Sequence, residues 1–383
     1  MDDATLERLR REEFPVTERW AYMNHAGIAA PPRRAAERMA AAVAGASRSG
    51  DREWLDRNAE AERVRRQAAR ILGARDPREV AFVENTSTGL SLVAEGIDWR
   101  PGDNVVSAAL EFPSNVYPWM RLMDQGVEYR LAGERDGRLD LDEIEGLIDE
   151  RTRAVALSWV QYASGFRAGL RRLGAVCRER DILFIVDVIQ GLGGLTLDVE
   201  RDLVDVAAAS GHKWLLGPEG IGLLYVSDRV VERLRPARSG WRSMRHISDW
   251  TKLEVDWNEG AKRFESGTLN VYGIHGLGGA LDILLEVGPE TVERRVLALA
   301  GRAARIFQER GLTLVSSRRP GETSGIVTAI PRPGGPDADA LARGLAERGV
   351  VLAQRAGRLR AAPHFYNTDE EMDRLEAGLR DLV

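Results

Sequence analysis

The 383-residue sequence predicts an α/β fold, with a large domain on a mostly parallel central sheet and a smaller C-terminal α+β domain. Three observations predict it. Between about residues 79 and 227, short β-rich runs alternate with helical patterns. Several of those runs are apolar throughout, as strands covered on both faces should be. After "RFESGTLN" the pattern changes to one long helix followed by short strands.

The first element, "MDDATLERLRREEFPVTERW", reads as a charged amphipathic helix, an N-terminal arm over residues 1–20 without the apolar run of a signal peptide. Residues 33–72, rich in alanine, arginine and glutamate, read as helical. The strand runs are "EVAFVEN", "NVVSAAL", "VEYRLAG", "AVALSWVQY", "LFIVDVIQ", "VDVAAAS" and "GIGLLYV", with "STGLSLVAEGI" and "LDEIEGLIDE" as helices between them. These fall in a large domain over residues 21–265. In the smaller domain, 266–383, "VERRVLALAGRAARIFQERG" is the long helix, and "LTLVSS", "GIVTAI" and "RLRAAPHF" are strands. The last helix starts at Thr368, because "TDEE" has the form of a capping box.

Composition narrows the class. A net charge of −5, spread along the chain, argues against a dedicated nucleic-acid surface. No run of apolar residues is long enough to cross a bilayer. Cys177 is the only cysteine, so an intramolecular disulfide or a cysteine metal cluster is ruled out. The expectation is a cytoplasmic enzyme acting on a small molecule, without nucleic-acid, membrane or metal partners.

In an open α/β sheet, ligands collect at the carboxyl ends of the strands. Three groups fall there. Thr86, Ser87 and Thr88 open a helix after the first run, where hydroxyls and free N–H groups suit a phosphate, although plain helix capping needs the same residues. Asp187 ends an apolar strand, where a carboxylate needs a cation or strong donor. Lys213 follows Ser210 and His212 after "VDVAAAS". Lysine is scarce here: Lys213, Lys252 and Lys262 stand against 54 lysines and arginines in total. An arginine serves equally well as a surface charge, whereas only a lysine amine loses its proton and condenses with an aldehyde. A phosphate anchor, a carboxylate for a pyridinium proton and an amine for an aldehyde together are what pyridoxal phosphate needs.

The chain resembles the class V aminotransferase family of fold-type I pyridoxal-phosphate enzymes, which includes cysteine desulfurases and isopenicillin-N-epimerase-like members. The resemblance runs through "YMNHAGIAAPP", "NTSTGLSLVA", "EFPSNVYPW", "SWVQYASGFRAGL", "VDVIQGLGG", "SGHKWLLGPEGIG", "RFESGTLN" and "LRAAPHFYNTDEEMD", in the family's order. It implies that Lys213 holds the cofactor covalently and moves the Cα proton, and that Asp187 keeps the ring nitrogen protonated. It implies that Gln190 bonds the ring's phenolic oxygen, that Phe112 stacks on the ring, and that Ser87, Thr88, Ser210 and His212 hold the phosphate. Thr268 would reach the phosphate of a neighbouring subunit, implying a homodimer with shared sites. Arg360 would clamp the substrate α-carboxylate, with Asn24, His25 and Tyr162 near the substrate.

Departures from the pattern matter too. Cysteine desulfurases carry a histidine where Phe112 stands, and a nucleophilic cysteine on a loop before the Arg360 segment. Here that loop is the short "AQRAGRLRA", and Cys177 falls in a helix pattern elsewhere. This argues against a persulfide-forming desulfurase. Aminotransferase is the leading expectation because it needs no further acid and no leaving group. Epimerisation or β-elimination by a carbon–sulfur lyase are the alternatives, and a non-catalytic cofactor-binding protein is the rival of another class. His246, His275 and His364 lack metal-ligand spacing and read as structural. "GLGGL" lacks the full dinucleotide pattern.

Overall fold

All seven β-rich runs become strands of a single sheet. The computed structural model describes residues 3–52, 54–246, 249, 251 and 253–383, so Lys252 lies outside the described residues. The strands are β1 (Val80–Val83), β2 (Asn104–Ala108), β3 (Glu128–Ala132), β4 (Thr152–Ser158), β5 (Leu183–Asp187), β6 (Val206–Ser210) and β7 (Gly222–Val226). They lie in the order β1-β7-β6-β5-β4-β2-β3. Only β7 runs antiparallel to its two neighbours.

Successive side chains of each strand point to opposite faces, and here both faces are apolar. Phe184, Val186, Ala207 and Leu223 enter one core, and Leu183, Ile185, Val206 and Leu224 enter another. The first core is closed by helices α2 (Arg33–Ser49), α3 (Trp54–Leu72), α5 (Leu170–Glu179) and α6 (Val271–Val287), the second by α4 (Thr86–Gly96). Strand β3 is the exception. It lies at the edge, and its Arg130 pairs with Glu128 and Asp149, charges that discourage further strand pairing.

A second sheet of four short strands, β8 (Thr313–Leu314), β9 (Val327–Ile330), β10 (Ala353–Arg355) and β11 (Arg358–Ala361), has the order β8-β9-β11-β10. It shares a third core with α7 (Pro289–Glu309), α8 (Ala338–Glu347) and α9 (Asp369–Arg380). The predicted capping box forms, Thr368 being the N-cap and Glu371 bonding back to its N–H. The N-terminal pattern forms helix α1, Asp3–Glu13. Among the described residues no helix is long and apolar enough to cross a membrane.

The glycine run after β5 has a packing cause. A Cβ at Gly191 would stand 2.4 Å from the Trp159 ring, and one at Gly194 would stand 2.4 Å from the Trp214 ring. These glycines let two indoles lie flat on the backbone.

Candidate active site

Strand ends from the first sheet and the β10–β11 hairpin of the second meet around a cavity of about 530 Å3. Asp187 ends β5, Ser210 ends β6, and Thr86 and Ser87 follow β1. The second sheet brings Arg360 on β11, and Asn24 arrives beside it through a parallel bridge to Ala362.

Lys213 projects into this cavity, its Nζ 5.5 Å from the Phe112 ring centroid. Burial lowers its proton affinity, the guanidiniums of Arg360 and Arg355 add to the effect, and Asp187 opposes it. Asp187 shows the opposite response. Burial raises its proton affinity and Glu111 adds to this, against the Ile189 N–H bonded to Oδ1 at 3.0 Å and the charge of Lys213. A buried carboxylate with Oδ2 unbonded among the described residues accepts a cationic ring N–H readily.

The phosphate end differs from the sequence reading in one respect. Asn85 caps α4, and its Oδ1 accepts from both the backbone N–H and the hydroxyl of Thr88. Thr88 therefore points away from the cavity, which is lined instead by Asn85, Thr86 and Ser87. Thr86 and Ser210 lock together. Thr86 N–H donates to Ser210 Oγ at 2.9 Å, and Ser210 N–H donates to Thr86 Oγ1 at 2.9 Å. The asparagine ahead of "TSTGL" was the available signal for this cap. His212 also lines the cavity, its proton affinity lowered by burial and by Lys213.

Gln190 lies on the wall with half its amide committed. Its Nε2 donates to Ala26 O, and its Oε1 accepts from Trp214 Nε1. One N–H remains for a ligand oxygen. Tyr162 and Phe112 meet edge to face at 5.2 Å on the wall.

Arg360 is only 1% exposed, and one guanidinium nitrogen, Nη1, donates to Tyr162 O at 3.0 Å. Its Nε and Nη2 are buried without an acceptor. Burial, with the charge of Arg355, pulls its pKa down to about 9, still charged at neutral pH. Two unmatched donors on a buried cation call for an anion from outside the chain.

Besides Thr88, two residues do not reach the cavity. The expectation put His25 near the substrate, but both ring nitrogens are engaged: Nδ1–H donates to Ala362 O at 2.8 Å, and Nε2 accepts from Tyr366 OH at 2.7 Å. Burial lowers its pKa to about 4, and it packs with His364 behind Trp214. It is a structural pin for the strand that carries Arg360. Thr268 lies outside its own chain's cavity, in a separate surface pocket that Thr88 also lines. The sequence reading missed Arg355, which lines the cavity beside Arg360.

The residues present therefore fit pyridoxal phosphate: an amine of lowered proton affinity, a buried carboxylate on a neighbouring strand end, and hydroxyls with an N-terminal helix turn between them. Comparison with known proteins agrees. The family model described as Aminotransferase class-V matches residues 21–375. A cysteine desulfurase of Salmonella agona is 30% identical over an alignment of 402 positions, covering 96% of each chain. The cysteine desulfurase of Thermococcus onnurineus NA1 superposes with a TM-score of 0.88 at 26% identity, covering 98% of each chain. The cystine C–S lyase C-DES, solved with its product cysteine persulfide, superposes with a TM-score of 0.89 at 25% identity, covering 96% of this chain and 99% of that one. A variant of C-DES carries glycine covalently linked to its pyridoxal-phosphate cofactor.

These similarities overturn the aminotransferase expectation, since the similar proteins cleave carbon–sulfur bonds by name. The physical reason is plain. The cofactor motifs encode labilisation of a Cα bond, which transamination, epimerisation and elimination share. The fate of the electron pair left at Cα is not written in those motifs.

Proposed function

We propose, from the premise that the chain belongs to the aminotransferase class-V family and uses pyridoxal phosphate, that it is a carbon–sulfur lyase acting on a cysteine-derived amino acid. The observation that carries this is the hairpin at the cavity. Where a desulfurase would need a nucleophilic thiol, β10 and β11 join through the two residues Ala356 and Gly357, and no cysteine lines the cavity. Cys177 is buried in α5, its thiol pushed up to about 12 by burial and the charge of Asp205. A thiolate there does not form at working pH.

Elimination needs no such thiol. The net reaction joins an S-substituted cysteine and water and yields a thiol, pyruvate and ammonium. The bound cofactor supplies the sink for the electron pair left when Cα loses its proton. Lys213 is the base at that proton, its free-amine fraction raised by burial. Asp187 holds the ring N–H and keeps the sink effective. Arg360 takes the α-carboxylate in its two free donors and orients the Cα–H bond. Ser87, Ser210 and His212 hold the phosphate, and Phe112 stacks on the ring. Thr268 is assigned to the phosphate of a second copy, which makes the functional unit a homodimer.

The hairpin also supports a substrate class. Ala353 pairs with Arg360 and Arg355 with Arg358, so Arg355 and Arg360 stand diagonally on one face, with stems roughly 7–8 Å apart. Arg355 has no acidic partner among the described residues. Two guanidiniums suit an amino acid with a second carboxylate beyond its sulfur, as in cystine, from which elimination releases cysteine persulfide.

The test is incubation of purified holoenzyme with cystine, with S-methylcysteine and with free cysteine, following pyruvate, alanine and persulfide. Pyruvate release equal in wild type and Cys177→Ser is expected, faster with cystine. Alanine release that vanishes in Cys177→Ser would overturn the reading in favour of a protein persulfide.

A further inference from the structure

The loop after β2 contains a buried acid that the reaction above does not use. Glu111 is 6% exposed and has no cationic partner among the described residues. Its carboxylate instead accepts four hydrogen bonds from neutral donors. Oε1 takes Ser158 N–H and Gln161 Nε2 at 2.8 Å each, and Oε2 takes Asn115 Nδ2 at 2.8 Å and the Ser158 hydroxyl. The orientation of Asn115 is fixed independently, because its Oδ1 accepts from Trp119 Nε1 at 2.9 Å. Three of the four groups, the Ser158 N–H and the Asn115 and Gln161 side-chain N–H, can only donate, so a side chain with an acceptor on each branch suits the nest.

Three of these bonds, two from Ser158 and one from Gln161, join the two segments that furnish the cavity wall. Glu111 immediately precedes Phe112, and Gln161 immediately precedes Tyr162. Tyr162 then meets Phe112 at 5.2 Å and gives its carbonyl to Arg360 Nη1. Ser158 is the register partner of Asp187 at the end of β5. One buried carboxylate is thus connected to the ring-facing phenyl through the chain, to the carboxylate clamp through Gln161 and Tyr162, and to the strand end bearing Asp187 through Ser158.

We infer that Glu111 is a positioning residue, which binds the Phe112 and Tyr162 segments into one wall and thereby aims the Arg360 guanidinium at the substrate α-carboxylate. This rests on the role proposed for Arg360, but not on carbon–sulfur cleavage. A glutamine at 111 would set an amide NH2 against the donor of Asn115 or of Gln161, so that one bond of the nest breaks or the Gln161 amide turns and shifts the Tyr162 segment. Arg360 would stay charged and present but misdirected. Displacement of such a clamp by about 1 Å weakens engagement roughly 10- to 100-fold.

The test is titration of holoenzyme with L-alanine, read from cofactor absorbance, in wild type, Glu111→Gln, Arg360→Ala and the double variant. Alanine carries an α-carboxylate and no sulfur, so failure of the lyase reading leaves this measurement intact. The expected result is a dissociation constant raised roughly 10- to 100-fold by Glu111→Gln in the wild-type background, and less than about 3-fold in the Arg360→Ala background. Equal effects in both backgrounds overturn the inference and make Glu111 a general support. No effect of Arg360→Ala itself overturns the clamp and, with it, the role given to Glu111. Should Glu111→Gln fail to fold, Gln161→Leu cuts only the link toward Tyr162, and the same coupling with Arg360 is required of it.

Discussion

Arg360 carries two unmatched donors on a buried cation, so its substrate contribution should be large and specific. Arg360→Ala is expected to lower kcat/KM by roughly 30- to 1000-fold, equivalent to about 2–4 kcal/mol of charge-assisted hydrogen bonding. Cofactor colour should persist, and lysine should rescue only in part, lacking the fork. Steady-state kinetics with an amino acid and a simple amine check this, since the amine should lose little. Lys213 makes a second residue-scale prediction. Borohydride should fix the cofactor on Lys213, whereas Lys262 is held as a charged partner of Glu62 at 2.9 Å. Peptide mapping that finds the label on Lys262 or Lys252 would refute the assignment. Cofactor should remain partly bound in Asp187→Ala while turnover collapses, because the phosphate end is untouched.

At the scale of elements, the β10–β11 hairpin and the start of α4 govern the site. Ala356 and Gly357 both adopt left-handed backbone, at φ 51° and 73°, as a two-residue turn between right-twisted strands requires. Glycine bears this freely and alanine does not. Ala356→Asn should raise stability by about 0.5–1 kcal/mol, read as a higher thermal midpoint with cystine turnover retained. Asn85→Ala should lower stability by about 1 kcal/mol through the lost cap of α4. It should also weaken cofactor retention, measured as faster loss of colour on dialysis. Loss of stability with unchanged retention would separate the cap from the phosphate end. Much of this scale was legible beforehand. The seven strands and the capping box at Thr368 followed from apolar runs and a four-residue pattern. Helix α6 was not foreseen: "VYGIHGLGGALDILLEV" is almost wholly apolar, and a buried helix shows no amphipathic period.

For the whole molecule, the pairing of His25 with His364 predicts a pH response. Burial holds the His25 pKa at about 4, below its ordinary 6.5, and pushes His364 down as well. Between those values the unfolded chain binds a proton that the folded chain refuses. Stability is therefore full above about pH 6.5 and falls as the pH drops toward 4, by up to roughly 3 kcal/mol from His25. Urea unfolding midpoints should fall between pH 7.5 and 5, with a shallower slope in His25→Asn. Equal slopes would remove the histidines from the explanation. Because His25 bonds Ala362, two residues beyond Arg360, the same acid step should loosen the carboxylate clamp.

By itself the sequence determined the α/β fold, the family and the cofactor. These rest on residue type and order: apolar runs for buried strands, and a lysine, an aspartate and a hydroxyl cluster at strand ends. Only the tertiary structure decided which side chains point inward. It turned Thr88 into a capped bystander, withdrew His25 behind Trp214, brought Arg355 beside Arg360 and surrounded Glu111 with donors. Those outcomes depend on pairing between segments up to hundreds of residues apart, where direction and burial are set by packing. A local pattern names a residue's chemistry, but the neighbours that hold it, free it or silence it come from elsewhere in the chain.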